Sequence, residues 1–232
     1  MKVELISQTI PVADKVKDLL PEDLIVYIAR VSNPTNQELM ENNSKLINYC
    51  IKNKHWSIFE HFFLTFEIET SLNISTQILR HGSAKFQQFS GRYQDISVLD
   101  SFYEEQEYRL VDVKNRQNSY AIDYSTLNID QLNILNEFSM RDKELEDLSI
   151  QLYKDKLEFG ISKETSRSHL LQAQKTKLYM SNNLRNILHY LEVRLDKSTQ
   201  KEHRMVAEEI NKILIPIFPN IFNSLKSISK NE

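Results

Sequence analysis

From Phe62 to Glu69 the chain alternates without interruption: Phe62, Leu64, Phe66 and Ile68 fall on one side, Phe63, Thr65, Glu67 and Glu69 on the other. Successive side chains of a strand point to opposite faces, so this stretch predicts a strand with one apolar face that other elements must cover. Helical periodicity supplies the cover. A first helix opens at Pro21-Glu22-Asp23 and runs through Ile25, Tyr27 and Ile28, with proline in the first turn. A second, over about 37 to 53, carries Leu39, Leu46, Ile47 and Cys50 at helical spacing. A long helix over about 129 to 159 is marked by Leu135, Phe138, Leu145, Leu148, Leu152 and Leu157 and ended by Gly160; its stripe predicts core packing, with a subunit contact as the alternative. Leu184, Ile187, Leu188 and Leu191 stripe a further helix, with Arg185 and His189 on one polar face and Arg194 projecting elsewhere. A closing helix with Val206, Ile210 and Ile213 stops before Pro216 and Pro219, leaving a tail after about 225 expected to fray. Residues 2 to 9 and 176 to 180 read as additional strands, and 95 to 128 as strands with a variable connection. With no repeat and no low-complexity linker, the reading is a single domain over 1–232.

The net charge of −3 gives no basis for a nucleic-acid surface, so any anion site must be a local arginine cluster. The single cysteine, Cys50, excludes an internal disulfide framework and a Cys-rich zinc site. It lies in an apolar helical stretch and reads as a buried structural thiol. No metal is expected. No apolar run reaches a membrane span, and Met1-Lys2-Val3-Glu4 lacks a signal-peptide pattern, so the expectation is a cytoplasmic protein without a membrane partner.

The chain has three glycines, and two of them, Gly82 and Gly91, lie in the segment from Gln77 to Tyr93. So sparing a use of glycine suggests positions that need positive φ or close approach of a ligand. A short helix over 71 to 81 leads into the segment, with Ser71 as N-cap and Gly82 as stop, which would place Gln77 and Arg80 on one face. Arg80, His81 and Arg92, together with amides and the Ser90 hydroxyl, are the groups that recognise a phosphate and a hydrogen-bonding ring.

Arg80-His81, then eight residues, then Ser90-Gly91-Arg92-Tyr93 resembles the signature of the flavin-dependent thymidylate synthases: Arg-His-Arg, seven residues, Ser, usually continuing Gly-Arg-Tyr. Further matches follow in family order. They are Ala29-Arg30-Val31-Ser32, His55-Trp56-Ser57-Ile58-Phe59-Glu60-His61 before the alternating strand, Ser166-Arg167, Asn183 to Arg194, and Gln200 with Glu202. The resemblance implies an α+β fold with a central, largely antiparallel sheet flanked by long helices. It implies reductive methylation of dUMP at C5, with 5,10-methylenetetrahydrofolate as carbon donor and NADPH-reduced FAD as hydride source. By the same resemblance, Gln77, Arg80, Gln88, Phe89, Ser90, Gly91, Arg92, Arg167 and Arg194 bind the pyrimidine deoxynucleotide monophosphate. Ser32, His55, Ser57, Glu60, Arg80, His81, Gly82, Asn183, Arg185 and His189 face the flavin. Arg194 and Arg80 serve the reaction, and Ser90 takes part as a substrate ligand with no Ser-His-Asp setting of its own. Arginine suits these tasks because its planar fork forms paired charge-assisted hydrogen bonds with phosphate and can stabilise charge developing on the uracil ring. Members of the family are homotetramers with active sites shared between subunits.

Two positions depart from the pattern. Gly82 stands where the third residue of Arg-His-Arg is a cation, and Gln88 where the family usually has Glu, so an amide that donates replaces a carboxylate that only accepts. These departures admit two alternatives: methylation or hydroxymethylation of another nucleotide such as dCMP, or a catalytically silent flavin or nucleotide binding homologue.

Overall fold

The structure is a computed structural model and describes residues 1–39, 41–99 and 101–229. In chain order the main elements are β1 (Lys2–Gln8), α1 (Pro21–Ala29), α2 (Asn43–Lys52), β2 (Phe63–Ser71), α3 (Leu72–Ile78), β3 (Lys85–Gln88), β4 (Arg109–Val111), β5 (Ser119–Ala121), α4 (Ile129–Glu158), α5 (Lys163–Ser166), β6 (Lys175–Asn183), α6 (Leu184–Arg194), α7 (Lys201–Leu214) and α8 (Pro219–Ser229). One antiparallel sheet has the order β1-β2-β6-β3, and β4-β5 form a separate hairpin inside the expected variable connection. This is the expected α+β class.

The alternation in β2 decides which face is covered. Leu64, Phe66 and Ile68 are buried with Leu178 and Met180 of β6, against apolar residues of α1, α2, α3, α6, α7 and α8. Burying each such side chain contributes about 1.5–3 kcal/mol. The other face is wet and polar: Lys177 of β6 pairs with Glu67 and Glu69 of β2 at 3.2 and 2.8 Å.

Several expectations change. The second helix begins at Asn43, not near 37, because Asn42 adopts a left-handed conformation (φ 60) that α-helix cannot continue through; Leu39 is left outside the helix and half exposed. α3 ends at Ile78, so Arg80 lies in the following turn and shares no helical face with Gln77. Ser71 holds the N-cap position, but its hydroxyl bonds Asn73 and caps nothing. Among the glycines only Gly160 has positive φ (92), where it ends the chain's longest helix as expected. The tail is an eighth helix through Ser229. Buried Glu22 of α1 caps it, accepting from the Ile221 and Asn220 backbone N–H groups at 2.9 and 3.3 Å and from Asn220 Nδ2 at 2.7 Å. Ile221 and Phe222 are buried in the core, while residues 230–232 of the expected fray lie outside the described residues.

α4 overturns the packing expectation. Its buried residues are Ser149 and Tyr153, whereas Phe138, Leu145, Leu148 and Leu152 are 47, 50, 67 and 38% exposed. The periodic stripe is real, but this chain does not cover it.

Candidate active site

β3 is an edge strand of four residues, paired to β6 from Lys85 opposite Ser181 to Gln88 opposite Leu178. The segment singled out in the sequence therefore forms two loops, one at each end of a strand about 13 Å long.

At the first end stands His81. Arg194, in the last turn of α6, donates from Nε to His81 Nε2 at 2.8 Å. An arginine N–H only donates, so this nitrogen of His81 is bare and the ring is neutral, with its proton on Nδ1. Burial first, then the charge of Arg194 and the neighbouring His189, hold the His81 pKa down at about 4. Tyr190, one turn before Arg194, meets the His81 ring edge to face at 4.9 Å between centroids. Behind both lies His203 of α7, 0% exposed, its pKa lowered to about 3 by burial, then by Arg194 and His81. Burial also raises the Tyr190 phenol. Gln77 completes this cluster: its Nε2 donates to Gln200 Oε1 at 2.6 Å, and its Oε1 faces His203 Nδ1 at 3.3 Å.

At the second end Phe89 N–H bonds the Lys177 carbonyl at 2.8 Å, and the chain turns through Ser90 to Tyr93. Gly91 is buried there. A Cβ on it would lie 3.2 Å from Ile96 Cδ1, so the missing side chain lets Ile96 pack tightly on the turn, with the Arg167 stem in ordinary contact beside it at 3.5 Å. Arg92 Nε bonds Glu164 at 2.8 Å in solvent, and Lys163 Nζ donates to the Tyr93 carbonyl at 3.2 Å. Arg92, Lys163 and the exposed Arg167 thus gather at one turn.

Between the ends, Gln88 Nε2 donates to Ser75 Oγ at 3.0 Å and Thr176 Oγ1 at 3.1 Å. Ser75 gives its own proton to the Leu72 carbonyl at 2.9 Å and so can only accept from residue 88. A carboxylate could not serve it. The exchange of Glu for Gln has a local structural reason.

Other predicted residues sit around the first loop. Arg185 is ion-paired with Glu60. Asn183 caps α6, accepting from Asn186 N–H at 3.0 Å, and Asn182 Nδ2 donates to Ser83 Oγ at 3.2 Å, fastening the loop to the start of α6. His189 faces solvent beside Glu192 at 3.3 Å rather than Arg185. Ser32, His55, Ser57, Arg80 and Gly82 are exposed, and a Cβ on Gly82 would meet nothing within 4 Å. Arg30 donates from Nη2 to the Glu41 carbonyl at 2.7 Å, while its buried Nη1 has no partner.

Within one chain the structure joins His81, Arg194 and Gln77, and separately joins Gly91, Arg92 and Arg167. Tyr190 and His203 escape the sequence reading. Tyr190 could be found by its spacing of four from Arg194 on the same helical face. His203 gives no signal, because a histidine on an apolar helix face reads as core.

The model of the family described as thymidylate synthase complementing protein matches residues 15–220. A flavin-dependent thymidylate synthase of Synechocystis is 43% identical over 228 residues, covering 97% of this chain and all of that protein. The protein named "Probable flavin-dependent thymidylate synthase" of Paramecium bursaria Chlorella virus 1 is 42% identical over 225 residues, covering 97% of this chain and 99% of its own. Among solved structures, the UMP/dUMP methylase PolB from Streptomyces cacaoi, bound with 5-Br dUMP, shares the fold with a TM-score of 0.77 at 22% identity, over 97% of this chain and 94% of that one.

Proposed function

The chain belongs to the thymidylate synthase complementing protein family, the flavin-dependent thymidylate synthases, and from that membership we propose that it methylates dUMP at C5 to give dTMP. The observation that carries the reading is the Arg194–His81 pair. His81 accepts one N–H of Arg194 and leaves the remaining donors of the guanidinium free for the uracil carbonyl oxygens, where negative charge grows as C5 becomes nucleophilic. Because His81 is neutral, it holds Arg194 without adding a like charge to the site.

At the other end of β3, Arg92, Arg167 and Lys163 suit the 5′-phosphate. Breaking the exposed Arg92–Glu164 pair costs no more than about 1 kcal/mol, so Arg92 is available to a dianion. Phe89, Ser90 and Gly91, in the turn at that same end, would line the nucleotide, with Gln77 beside the ring or sugar. Gln88 contributes by holding β3 on β6.

The residues present fit FAD. Arg30 carries a buried N–H without a partner, and the clear space over Gly82 lies next to the exposed cation Arg80. Ser32, His55, Ser57, Glu60, Arg80, His81, Asn183, Arg185 and His189 would hold it. Reduced by NADPH, the flavin supplies the hydride that completes the methyl group, while the carbon comes from methylenetetrahydrofolate and C5 gives up a proton. The work of the protein is to position and to stabilise charge.

The uncovered stripe of α4 supports a subunit contact, and membership of the family supports a homotetramer with shared active sites and a cytoplasmic location. Among the described residues no helix is long and apolar enough to cross a membrane.

The deciding experiment is the mass of the product after FAD-loaded protein meets NADPH, methylenetetrahydrofolate and an equal mixture of dUMP and dCMP. Methylated dUMP is the expected result. A hydroxymethyl product or modified dCMP would replace the reading with a changed specificity, and unaltered nucleotides with retained flavin would leave a binding protein.

A further inference from the structure

Four side chains form a hydrogen-bond line with only one possible direction. It is anchored at Glu202, whose carboxylate only accepts. Gln200 lies 3.0 Å from Glu202 Oε2 and must present its Nε2 there, which turns its Oε1 towards Gln77. Gln77, at 2.6 Å, must then present its own Nε2 to Gln200, which turns its Oε1 towards His203 Nδ1 at 3.3 Å. His203 is thereby required to carry its proton on Nδ1. The opposite tautomer would set two lone pairs against each other and bury an unsatisfied N–H. The far nitrogen of His203 and the Tyr190 hydroxyl are both buried without a partner, so nothing on that side competes for the proton.

We infer that Glu202, Gln200 and His203 are positioning residues that fix the amide of Gln77, turning its carbonyl towards His203 and leaving its Nε2 donor for the nucleotide. Oε1 faces the His203 N–H, and one of the two Nε2 protons is held by Gln200. The second Nε2 proton remains. It suits a carbonyl or sugar oxygen of the substrate and repels an amino group in the same place. The inference rests on the reading of Gln77 as a nucleotide ligand given above.

Two measurements test it. In two-bond proton–nitrogen spectra of the flavin-loaded protein labelled at histidine, His203 should show the Nδ1–H tautomer, and Glu202→Gln should convert it into a mixture, since a second amide no longer dictates direction. Calorimetric titration with dUMP should then show Glu202→Gln weakened about twofold to threefold, in proportion to the fraction of chains whose Gln77 amide is turned the wrong way. The same change added to Gln77→Ala should weaken binding no further, because the effect travels through Gln77. An Nε2–H tautomer in the unaltered protein would overturn the line, and the spectrum needs no variant to fold. An expected tautomer with unchanged dUMP affinity in Glu202→Gln, or additive losses in the double variant, would overturn its action on substrate. Protein that holds the expected tautomer yet binds no dUMP would overturn the nucleotide reading of Gln77 itself and leave the line as architecture.

Discussion

Replacing His203 with leucine should remove much of the protein's sensitivity to acid. The ring is 0% exposed and faces Arg194, His81 and Tyr190, with its pKa lowered from 6.5 to about 3, chiefly by burial. The unfolded chain therefore binds a proton that the folded one refuses. Stability from this source is full above the unfolded value of 6.5 and is lost as pH falls towards 3. At about 1.4 kcal/mol per unit, lowering the pH from about 7 to about 4.5 removes about 2.5 kcal/mol through His203 alone. Leucine has similar bulk and no titration; at neutral pH it gives up one long hydrogen bond to Gln77 and removes a buried unpartnered nitrogen, so stability there should change by less than about 1 kcal/mol. Urea unfolding of both proteins at the two pH values, at one protein concentration so that assembly contributes equally, gives the comparison. His81 and the carboxylates titrate in both and cancel to first order. Equal acid losses in the two proteins, within about 0.5 kcal/mol, would refute the assignment of a buried neutral ring at 203.

Three further outcomes are expected. Glu22→Ala should cost about 2–3 kcal/mol in calorimetric melting, because the carboxylate is buried and caps α8 through three hydrogen bonds, and Glu22→Gln should recover part of that loss. Gly91→Ala should destabilise by about 1–2 kcal/mol, since its Cβ would crowd Ile96 Cδ1, and adding Ile96→Val, which deletes that methyl, should make the pair less damaging than the sum of the singles. Leu148→Glu on the uncovered stripe of α4 should lower the mass seen by light scattering without lowering helix content; an unchanged mass would remove α4 from the subunit contact.

The sheet was legible because one of its faces is wet: an alternation such as Phe62 to Glu69 marks a half-covered strand wherever its partners come from. The stripe on α4 was equally visible, but periodicity says that a face is covered and not by what, so core packing was expected where Leu145 and Leu148 stand exposed. The late start of α2 depends on the backbone of Asn42, which no side-chain pattern reports. α8 is not legible because Pro219, following an apolar helix, reads as a stop, although proline in a first turn opens α1 at Pro21. In the site, the motif named Arg80, His81, Ser90 and Arg92 directly. Gln88 looked like a lost charge, and its true partners, Ser75 and Thr176, lie 13 and 88 residues away. His203 and Tyr190 owe their place to the crossing of α6 and α7 beside His81, a tertiary fact.

The short edge strand β3 makes the distance between the two loops a measured length. A residue inserted or removed within Lys85 to Gln88 would shift the rest of the strand by one step along β6 and turn Gln88 away from Ser75 and Thr176 to the wet face of the sheet. The segment behaves as a ruler: it accepts Gly82 and Gln88 as changes of chemistry, whereas a change of length inside β3 would cost the Gln88 contacts that hold the strand to α3 and β6.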